Sequence, residues 1–243
     1  YRETVIEVKL DRIAYNVEQI RAMVGKDVKI AAVVKANGYG HGAVGIAPTI
    51  MEHGGDLLCV ATLSEAIELK RAYPQYPMLI MGLTADEYLP YVLQYGILQT
   101  VDSLRQAKVL NELAEQAGTT AGIHIKYDTG FHRIGFPDRE ESLREIEEIS
   151  KMAGLRIEGI FSHLVLLDDE SNLKQYRAFT DAIEKLRARG IELPCCHLAD
   201  SIASVDYPEY RMDMIRAGAI IYGLKGFHKG TLDIRQALTF KTR

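Results

Sequence analysis

Apolar residues along this chain form two patterns that alternate from one end to the other. Eight short apolar runs, rich in β-branched residues, have the length of buried strands. They are VKIAAVVKA from Val28, DLLCVAT from Asp56, YPMLIMG from Tyr76, GILQTV from Gly96, AGIHIKYD from Ala121, LRIEGIFSHL from Leu155, LPCCHLAD from Leu193 and DMIRAGAIIYG from Asp213. Between them lie amphipathic segments, for example those from Ser103, Arg139 and Asn172, in which apolar residues recur at steps of three and four.

This alternation predicts an α/β fold with a parallel sheet. Eight strand-and-helix pairs in one run favour a closed TIM (β/α)8 barrel over an open doubly wound sheet, which usually has fewer strands. The glycine-rich GYGHG segment is preceded by Lys35, at the point where a dinucleotide-binding turn would start. We therefore expect a barrel domain over residues 9–224.

Both ends of the chain depart from this pattern. ETVIEVKL, from Glu3, and GTLDIRQALTFKTR, from Gly230, read as strand-rich segments outside the alternation. We expect residues 1–8 and 225–243 to be strands of a second, β-rich domain that is mostly missing from this chain. The first residue is Tyr1 rather than Met, which we interpret as a processed form or a part of a longer protein.

Composition and charge narrow the class of protein. With 243 residues, 47% of them hydrophobic, and a net charge of −4, the chain resembles ordinary globular proteins rather than nucleic-acid binders. No apolar run approaches the roughly eighteen residues of a membrane helix and no leader opens the chain, so we expect a cytoplasmic protein without membrane contact in this segment. Cys59, Cys195 and Cys196 lack the spacing of a disulfide framework or a zinc site, and we expect no metal.

Basic and imidazole side chains collect at the predicted strand ends, where a parallel barrel places its active site. They are Lys35 on the first strand, Lys126 and Arg133 on the fifth, His163 on the sixth, His197 on the seventh and Arg216 on the eighth. This set lacks the paired carboxylates of a glycosidase and the oxygen ligands of a divalent metal, and it suits a phosphate or a carboxylate ligand. A partly desolvated lysine among cations can have a lowered pKa and form a Schiff base with a carbonyl cofactor.

Each of these residues also has a purely structural interpretation. Lys35 could be an ordinary lysine at a loop edge, and His163 could be a hydrogen-bonded core histidine. Arg133 and Arg216 could be partners in structural ion pairs, and Tyr39 could pack as an aromatic ring. Residue types alone leave these alternatives open.

Five ordered segments of the sequence match one known family. AVVKANGYGHG, from Ala32, resembles the pyridoxal-phosphate lysine segment of the alanine racemase family. The later landmarks of that family are resembled, in order and at compatible spacings, by KYDTGFHRIGF from Lys126, GIFSHL from Gly159, HLADSIA from His197 and DMIRAGAIIYG from Asp213. The resemblance runs from about residue 5 to the C-terminus.

The resemblance implies a barrel that binds pyridoxal 5′-phosphate, followed by a β-rich C-terminal domain. It also implies a homodimer whose active sites are completed by the partner's C-terminal domain. Lys35 would hold the cofactor as a Schiff base and act as one of two acid/base groups. The phosphate would be held by Tyr39 and Ser201 with the backbone amides of Gly218 and Ala219.

The remaining roles that the resemblance implies concern the cofactor ring and the substrate. Arg216 would face the pyridine nitrogen, with His163 as its hydrogen-bond partner. Arg133 would position the substrate carboxylate, and Lys126 matches a lysine that is often carbamylated and would then orient Arg133. An arginine at the ring nitrogen keeps its proton, which disfavours transamination and argues against a decarboxylase on the same barrel.

One position departs from the family pattern. Asp200 stands where the family usually has Asn, directly before the phosphate-binding Ser201. A carboxylate near a phosphate is unfavourable unless it is paired or turned away. We keep Asp200 among the candidate cofactor-binding residues and expect His197 or a nearby backbone amide to pair it. Gly38, where the family often has Ala, is a milder change.

The function implied is racemisation of alanine or serine by two bases, which would supply a D-amino acid for peptidoglycan. The second base is, in this family, a tyrosine of the partner's C-terminal domain, so we expect residues 1–243 alone to bind cofactor without racemising. Serine as substrate would fit the cytoplasmic domain of a membrane-attached racemase. The alternative is a non-catalytic, single-domain barrel that binds pyridoxal phosphate.

Overall fold

Strands and helices alternate through residues 4–242, which are the residues that the computed structural model describes. The strands are β1 (Val5–Val8), β2 (Lys29–Val33), β3 (Leu57–Val60), β4 (Met78–Ile80), β5 (Leu98–Val101), β6 (Ala121–Asp128), β7 (Phe136–Pro137), β8 (Leu155–Phe161), β9 (Cys196–His197), β10 (Met214–Ala217) and β11 (Leu238–Lys241). The helices are α1 (Leu10–Val24), α2 (Lys35–Tyr39), α3 (Ala43–Glu52), α4 (Leu63–Ala72), α5 (Leu89–Gln94), α6 (Leu104–Gln116), α7 (Glu140–Ser150), α8 (Asp169–Ala188) and α9 (Ser201–Asp206). Short 3-10 helices cover Asp86–Tyr88, Pro208–Tyr210 and Ala219–Tyr222.

Eight of the strands form one parallel barrel. Their order is β10-β2-β3-β4-β5-β6-β8-β9, and β7 adds a short parallel pair to β6. Backbone hydrogen bonds close the ring between β9 and β10, because the amide of Asp213 donates to the carbonyl of Cys196 at 3.0 Å and the amide of Arg216 donates to that of Ala199 at 2.9 Å. The predicted (β/α)8 barrel is confirmed, and the open doubly wound sheet is excluded.

The glycine-rich segment after β2 has the spacing of a dinucleotide-binding turn at Gly40, Gly42 and Gly45, yet it forms none. β2 ends at Val33, and the left-handed α2 separates it from Gly40. Gly42 instead precedes α3 as its cap residue. In a dinucleotide-binding unit the glycines follow the first strand directly, so the glycine spacing does not indicate dinucleotide binding here.

The predicted amphipathic helices are present, and side-chain caps explain where two of them begin. The Ser103 side chain accepts a hydrogen bond from the third residue after it, and α6 begins at Leu104. The helix predicted from Asn172 begins earlier, at Asp169, because Asp168 caps it and accepts the amide hydrogen of Ser171 at 2.7 Å. None of the helices between residues 4 and 242 is long and apolar enough to cross a membrane.

Side chains of the barrel strands alternate between two apolar layers, as the strand period of two requires. On β2, Ile30 and Ala32 belong to the large core beneath the helices. The smaller cluster fills the barrel interior and consists of Ala31, Val33, Leu57, Cys59, Leu79, Cys195 and Met214. Since every second residue of a strand faces the interior, Lys35 lies on the same side as Val33, and Arg216 on the same side as Met214. The fold therefore directs the side chains of Lys35 and Arg216 toward the mouth of the barrel.

The three cysteines are structural. Cys59, Cys195 and Cys196 are free and buried. Burial raises the pKa of Cys59 and Cys196 to about 12 and that of Cys195 to about 11. Thiols with such pKa values hold their protons at neutral pH and are poor nucleophiles.

The two strand-rich ends pair with each other rather than with the barrel. β1 and β11 form an antiparallel two-stranded sheet in which Val5 lies opposite Lys241 and Val8 lies opposite Leu238. Ile6 and Phe240 are exposed on it. The assignment of residues 1–8 and 225–243 to a second domain stays a prediction, and residues 1–3 and 243 lie outside the described part of the chain.

Candidate active site

Four cations predicted from three strand ends act on one imidazole. The pKa of His163 is lowered to about 3, chiefly by burial and then by the positive charges of Arg216, Arg133, Lys126 and Lys35, in that order. The carboxyl ends of the first, fifth, sixth and eighth barrel strands therefore meet at a common mouth, as the parallel barrel requires. With that density of positive charge, the mouth favours an anionic ligand.

Lys35 is presented by a backbone turn of the uncommon hand. All five residues after it have positive φ, namely Ala36 at 52°, Asn37 at 52°, Gly38 at 61°, Tyr39 at 53° and Gly40 at 85°. A left-handed conformation costs about 1–2 kcal/mol for each residue that carries a β-carbon. The turn is held by backbone bonds, including Gly38 to the carbonyl of Val34 at 2.8 Å, and by the Asn37 side chain, which accepts the amide hydrogen of Ala43 at 2.8 Å. Such strain is typical of a functional segment.

Three groups from distant parts of the chain form a small polar cup. The amide of Gly218 donates to Oγ of Ser201 at 2.8 Å. A β-carbon at position 218 would lie 3.1 Å from the hydroxyl of Tyr39, so a glycine lets that hydroxyl lie against the backbone. Ser201 and Gly218 are buried, and Ala219 begins the following 3-10 helix. The hydroxyls and amide that the sequence predicted for a phosphate are thus brought together.

Tyr222 holds the Tyr39 side of this cup. Its buried hydroxyl donates to the carbonyl of Val33 at 2.8 Å, which fixes the ring. The ring centroids of Tyr39 and His41 lie 5.1 and 4.5 Å from that of Tyr222. This role of Tyr222 was not predicted from the sequence, although the strand-end segment DMIRAGAIIYG contains it.

Asp200 turns its carboxylate toward the helix that follows it. Oδ1 accepts the amide hydrogens of Ile202 at 3.0 Å and Ala203 at 2.9 Å, as an N-cap of α9. Of the two partners expected for it, the backbone amides are therefore the observed ones, since His197 bonds to other groups. The charge of Asp200 still raises the pKa of Arg216, against a larger lowering by burial. Contact between Asp200 and a cofactor stays a prediction.

Arg216 is buried, with 5% of its surface exposed, and is fixed by both of its terminal nitrogens. Nη1 lies 3.0 Å from Nδ1 of His197, and Nη2 lies 3.2 Å from Nδ1 of His163. Nη2 also donates to the carbonyls of Ser162 at 2.7 Å and Leu198 at 2.8 Å. Burial lowers the pKa of Arg216 to about 10, so the guanidinium remains protonated at neutral pH.

The bonds of Arg216 determine the tautomers of three histidines. A guanidinium only donates, so Nδ1 of His197 accepts a full hydrogen bond, and Nδ1 of His163 shares the two hydrogens of Nη2 with the carbonyls of Ser162 and Leu198. Neither Nδ1 can carry a proton toward the cation, so each neutral ring carries its proton on Nε2. Nε2 of His197 then donates to Nδ1 of His124 at 2.9 Å. Burial is the main cause of the lowered pKa of all three rings, to about 3 for His124 and well below its ordinary value for His197. The three imidazoles are therefore neutral, and the bonds to His163 and His197 run outward from Arg216.

Arg133 is carried by a loop that a single carboxylate organises. Asp128, at the end of β6, accepts amide hydrogens from Gly130 at 3.1 Å, Phe131 at 2.9 Å and His132 at 3.0 Å. The guanidinium of Arg133 lies 4.5 Å from the ring centroid of Phe131. That ring in turn meets His163 edge-on at 4.8 Å. Arg133 is exposed beside the mouth, where a ligand from solvent can reach it.

Lys126 is the buried amine of the site, with 2% of its surface exposed. Nζ donates to the carbonyl of Tyr127 at 2.9 Å and lies 5.6 Å from the ring centroid of Phe161. Burial lowers its pKa to about 8, with Arg216 and Arg133 acting in the same direction and Asp128 against it. A sizeable fraction of this amine is neutral just above neutral pH.

Two residues that sequence analysis did not single out complete the floor of the site. Phe161 stacks on His197 at 4.8 Å, with an angle of 11° between the rings, and lies 5.3 Å below the guanidinium of Arg216. His124 is the last acceptor in the chain of hydrogen bonds that runs from Arg216 through His197. Their signal was weak, because apolar or imidazole residues in a strand are ordinarily core residues. Only the strand parity, which places both in the barrel interior, distinguishes them.

Comparisons with known proteins agree with this geometry. Residues 8–226 match the family model described as "Alanine racemase, N-terminal domain". The chain is 40% identical to the alanine racemase of Clostridium tetani over 242 residues, which cover 97% of this chain and 62% of that protein. It is 39% identical over 247 residues to alanine racemase 2 of Caldanaerobacter subterraneus, covering 100% of this chain and 64% of that protein.

Solved structures give the same result. The alanine racemase of Clostridium difficile 630 in complex with cycloserine superposes with a TM-score of 0.95 at 35% identity, covering 98% of this chain and 67% of that one. That of Bacillus anthracis with bound L-Ala-P superposes with a TM-score of 0.92 at 29% identity, covering 99% of this chain and 64% of that one. The chain spans 62–64% of the length of the two curated relatives named above. On this evidence the chain belongs to the alanine racemase family and contains its N-terminal barrel domain.

Proposed function

We propose that this chain is the cofactor-binding barrel of an amino-acid racemase that interconverts L- and D-alanine with pyridoxal 5′-phosphate. The observation that carries the proposal is the placement of Lys35 at the same mouth as a buried, protonated arginine and a hydroxyl-and-amide cup. Alanine is the substrate because the curated relatives are alanine racemases at 39–40% identity. Serine is the second candidate, since one hydroxyl changes the binding energy in a small pocket only modestly.

The residues present fit this cofactor. Its phosphate suits the cup of Tyr39, Ser201 and Gly218, where two hydroxyl donors converge, one of them held by the Gly218 amide, beside an electropositive mouth. Its ring nitrogen is an acceptor, and Arg216 is a fixed donor. Its aldehyde requires an amine, which Lys35 supplies. When bound, the cofactor supplies a conjugated ring that stabilises negative charge at the substrate α-carbon.

Arg216 controls how strongly that ring draws electrons. Because the guanidinium stays protonated and only donates, it offers the ring nitrogen a hydrogen bond without giving up its proton. His163 and His197 accept from it and, being neutral, add no proton of their own. The arrangement favours return of the α-proton over transamination.

Proton transfer requires two groups on opposite faces of the α-carbon, since one side chain of fixed position serves only one face. Lys35 is the group on one face. The resemblance places the second on a tyrosine of the partner's C-terminal domain, in a homodimer. A protein made of residues 1–243 alone is therefore expected to bind the cofactor without racemising alanine.

Arg133 would position the substrate carboxylate, and Lys126 would orient Arg133. Burial lowers the pKa of Lys126, and the charge of Arg133, which is exposed beside the mouth, acts in the same direction. The neutral fraction of Lys126 can react with carbon dioxide, which forms an N–C bond and releases one proton. The resulting carbamate carries a negative charge in place of a positive one and would orient the Arg133 guanidinium.

A non-catalytic single-domain barrel is less well supported. The relatives that match along nearly the whole chain are racemases, and they extend well beyond it. The functional test is titration with pyridoxal phosphate, followed by the visible absorbance band of the lysine-bound cofactor. Lys35→Ala should lose the band, and Lys108→Ala, an exposed lysine on α6, should retain it. Retention of the band in Lys35→Ala would refute the proposal.

A further inference from the structure

The strained turn that presents Lys35 is held by a side chain from the neighbouring strand-and-helix unit. Glu65 lies in the first turn of α4, and its Oε1 accepts the amide hydrogen of Ala36 at 2.7 Å. Its Oε2 accepts the amide hydrogens of Ala61 at 2.8 Å and Thr62 at 3.1 Å. One carboxylate thus joins two elements that are 29 residues apart in sequence.

Ala36 is the critical end of this contact. It follows Lys35 directly and is the first residue of the left-handed run. A hydrogen bond from an amide to a carboxylate is charge-assisted and stronger than one between neutral groups. Such a bond fixes the peptide plane between Lys35 and Ala36, and with it the direction in which the lysine side chain leaves the backbone.

Helix capping alone does not explain Glu65. Thr62 and Glu65 form a capping box, in which Oγ1 of Thr62 accepts the amide hydrogen of Glu65 at 3.4 Å and Oε2 of Glu65 returns to the amide of Thr62. The box uses only Oε2. The second oxygen, on Ala36, serves the turn and not the helix.

We propose that Glu65 is a positioning residue, which anchors the Ala36 amide so that Lys35 is held ready to react with the cofactor aldehyde. This rests on the proposed role of Lys35. Glu65→Gln has a single acceptor oxygen and cannot serve both sets of amides. Glu65→Asp keeps the charge but is one methylene shorter, so it caps α4 without reaching Ala36.

The first measurement needs no cofactor. Hydrogen exchange of the Ala36 amide in the free protein should become at least about tenfold faster in Glu65→Gln and Glu65→Asp, as expected for loss of a bond to a charged group. Glu68→Gln is the matched control, because Glu68 is exposed on the same helix, and it should exchange like the wild type. Unchanged exchange at Ala36 in both Glu65 variants would overturn the proposal, whatever Lys35 does.

The second measurement separates positioning from helix stability. The rate at which the lysine-bound band forms with pyridoxal phosphate should fall at least about tenfold in the Glu65 variants. Thr62→Ala, which weakens only the helix cap, should lower the thermal midpoint while the rate stays within about twofold of wild type. An equal loss of rate in Thr62→Ala would mean that Glu65 acts through the helix and would overturn the proposal. Absence of the band in the wild type would instead refute the proposed function, and the exchange result would still stand.

Discussion

Alanine at position 218 tests the phosphate cup with a single β-carbon. That carbon would lie 3.1 Å from the hydroxyl oxygen of Tyr39 and 3.5 Å from Cβ of Val33. Because Tyr39 is packed against Tyr222 at a centroid distance of 5.1 Å, the hydroxyl has to move by a few tenths of an ångström away from the cup. We expect the loss of one hydrogen bond to a charged group, which is worth about 1.5–3 kcal/mol, or about 10- to 150-fold in Kd.

The assay compares two ligands that differ only in the phosphate. Gly218→Ala should weaken pyridoxal phosphate by that factor in an absorbance titration and leave the affinity for pyridoxal almost unchanged. Gly45→Ala is the control, because a β-carbon at position 45, on α3, meets no atom within 4 Å. Equal weakening of both ligands, or wild-type affinity for pyridoxal phosphate, would show that Gly218 and Tyr39 do not form the phosphate site.

Three further predictions concern Lys126, the histidines bonded to Arg216, and Asp128. Burial lowers the pKa of Lys126 to about 8 from an ordinary 10.5, so the unfolded chain binds more protons between these values and the free energy of unfolding rises with pH across that window. The free energy of unfolding, measured with denaturant in buffer free of carbon dioxide, should rise by up to about 3 kcal/mol in the wild type and not in Lys126→Met. The same rise in both proteins would contradict the lowered pKa of Lys126. Nitrogen NMR at pH 5 should find His163 and His197 neutral, with the proton on Nε2. An Nδ1–H signal from either ring would contradict the hydrogen bonds assigned from Arg216. Asp128→Ala should release the loop before Arg133 and raise the KM for alanine of the complete enzyme more than it lowers kcat. An equal effect on KM and kcat would contradict the role of Arg133 in binding the substrate carboxylate.

Periodicity was enough to predict the architecture. Each of the eight apolar runs forms a barrel strand. The runs were recognisable because each is followed by a segment whose apolar residues recur at the helical steps of three and four. The extent of the strands was less predictable, and the run from Leu193 contributes only Cys196 and His197 to the ladder. Pairing of the two chain ends with each other could not be read from sequence, since it depends on contacts more than 200 residues apart.

Some residues of the candidate site were predictable from the sequence, and others were not. Lys35, Arg133, His163 and Arg216 were predicted from their place at strand ends, and the structure brings them to one mouth. Glu65 was not predicted, because a glutamate three residues after a threonine reads fully as a helix cap. Its second bond, to Ala36, depends on a left-handed turn that glycine spacing suggests only loosely.

Reduction of the cofactor-loaded protein with borohydride, followed by peptide mapping, identifies the lysine that binds the cofactor. We expect one stable adduct, on Lys35, in the peptide that contains AVVKANGYGHG. An adduct on Lys126, the buried lysine of the mouth, or no adduct at all on a protein that has taken up the cofactor, would refute the assignment of Lys35.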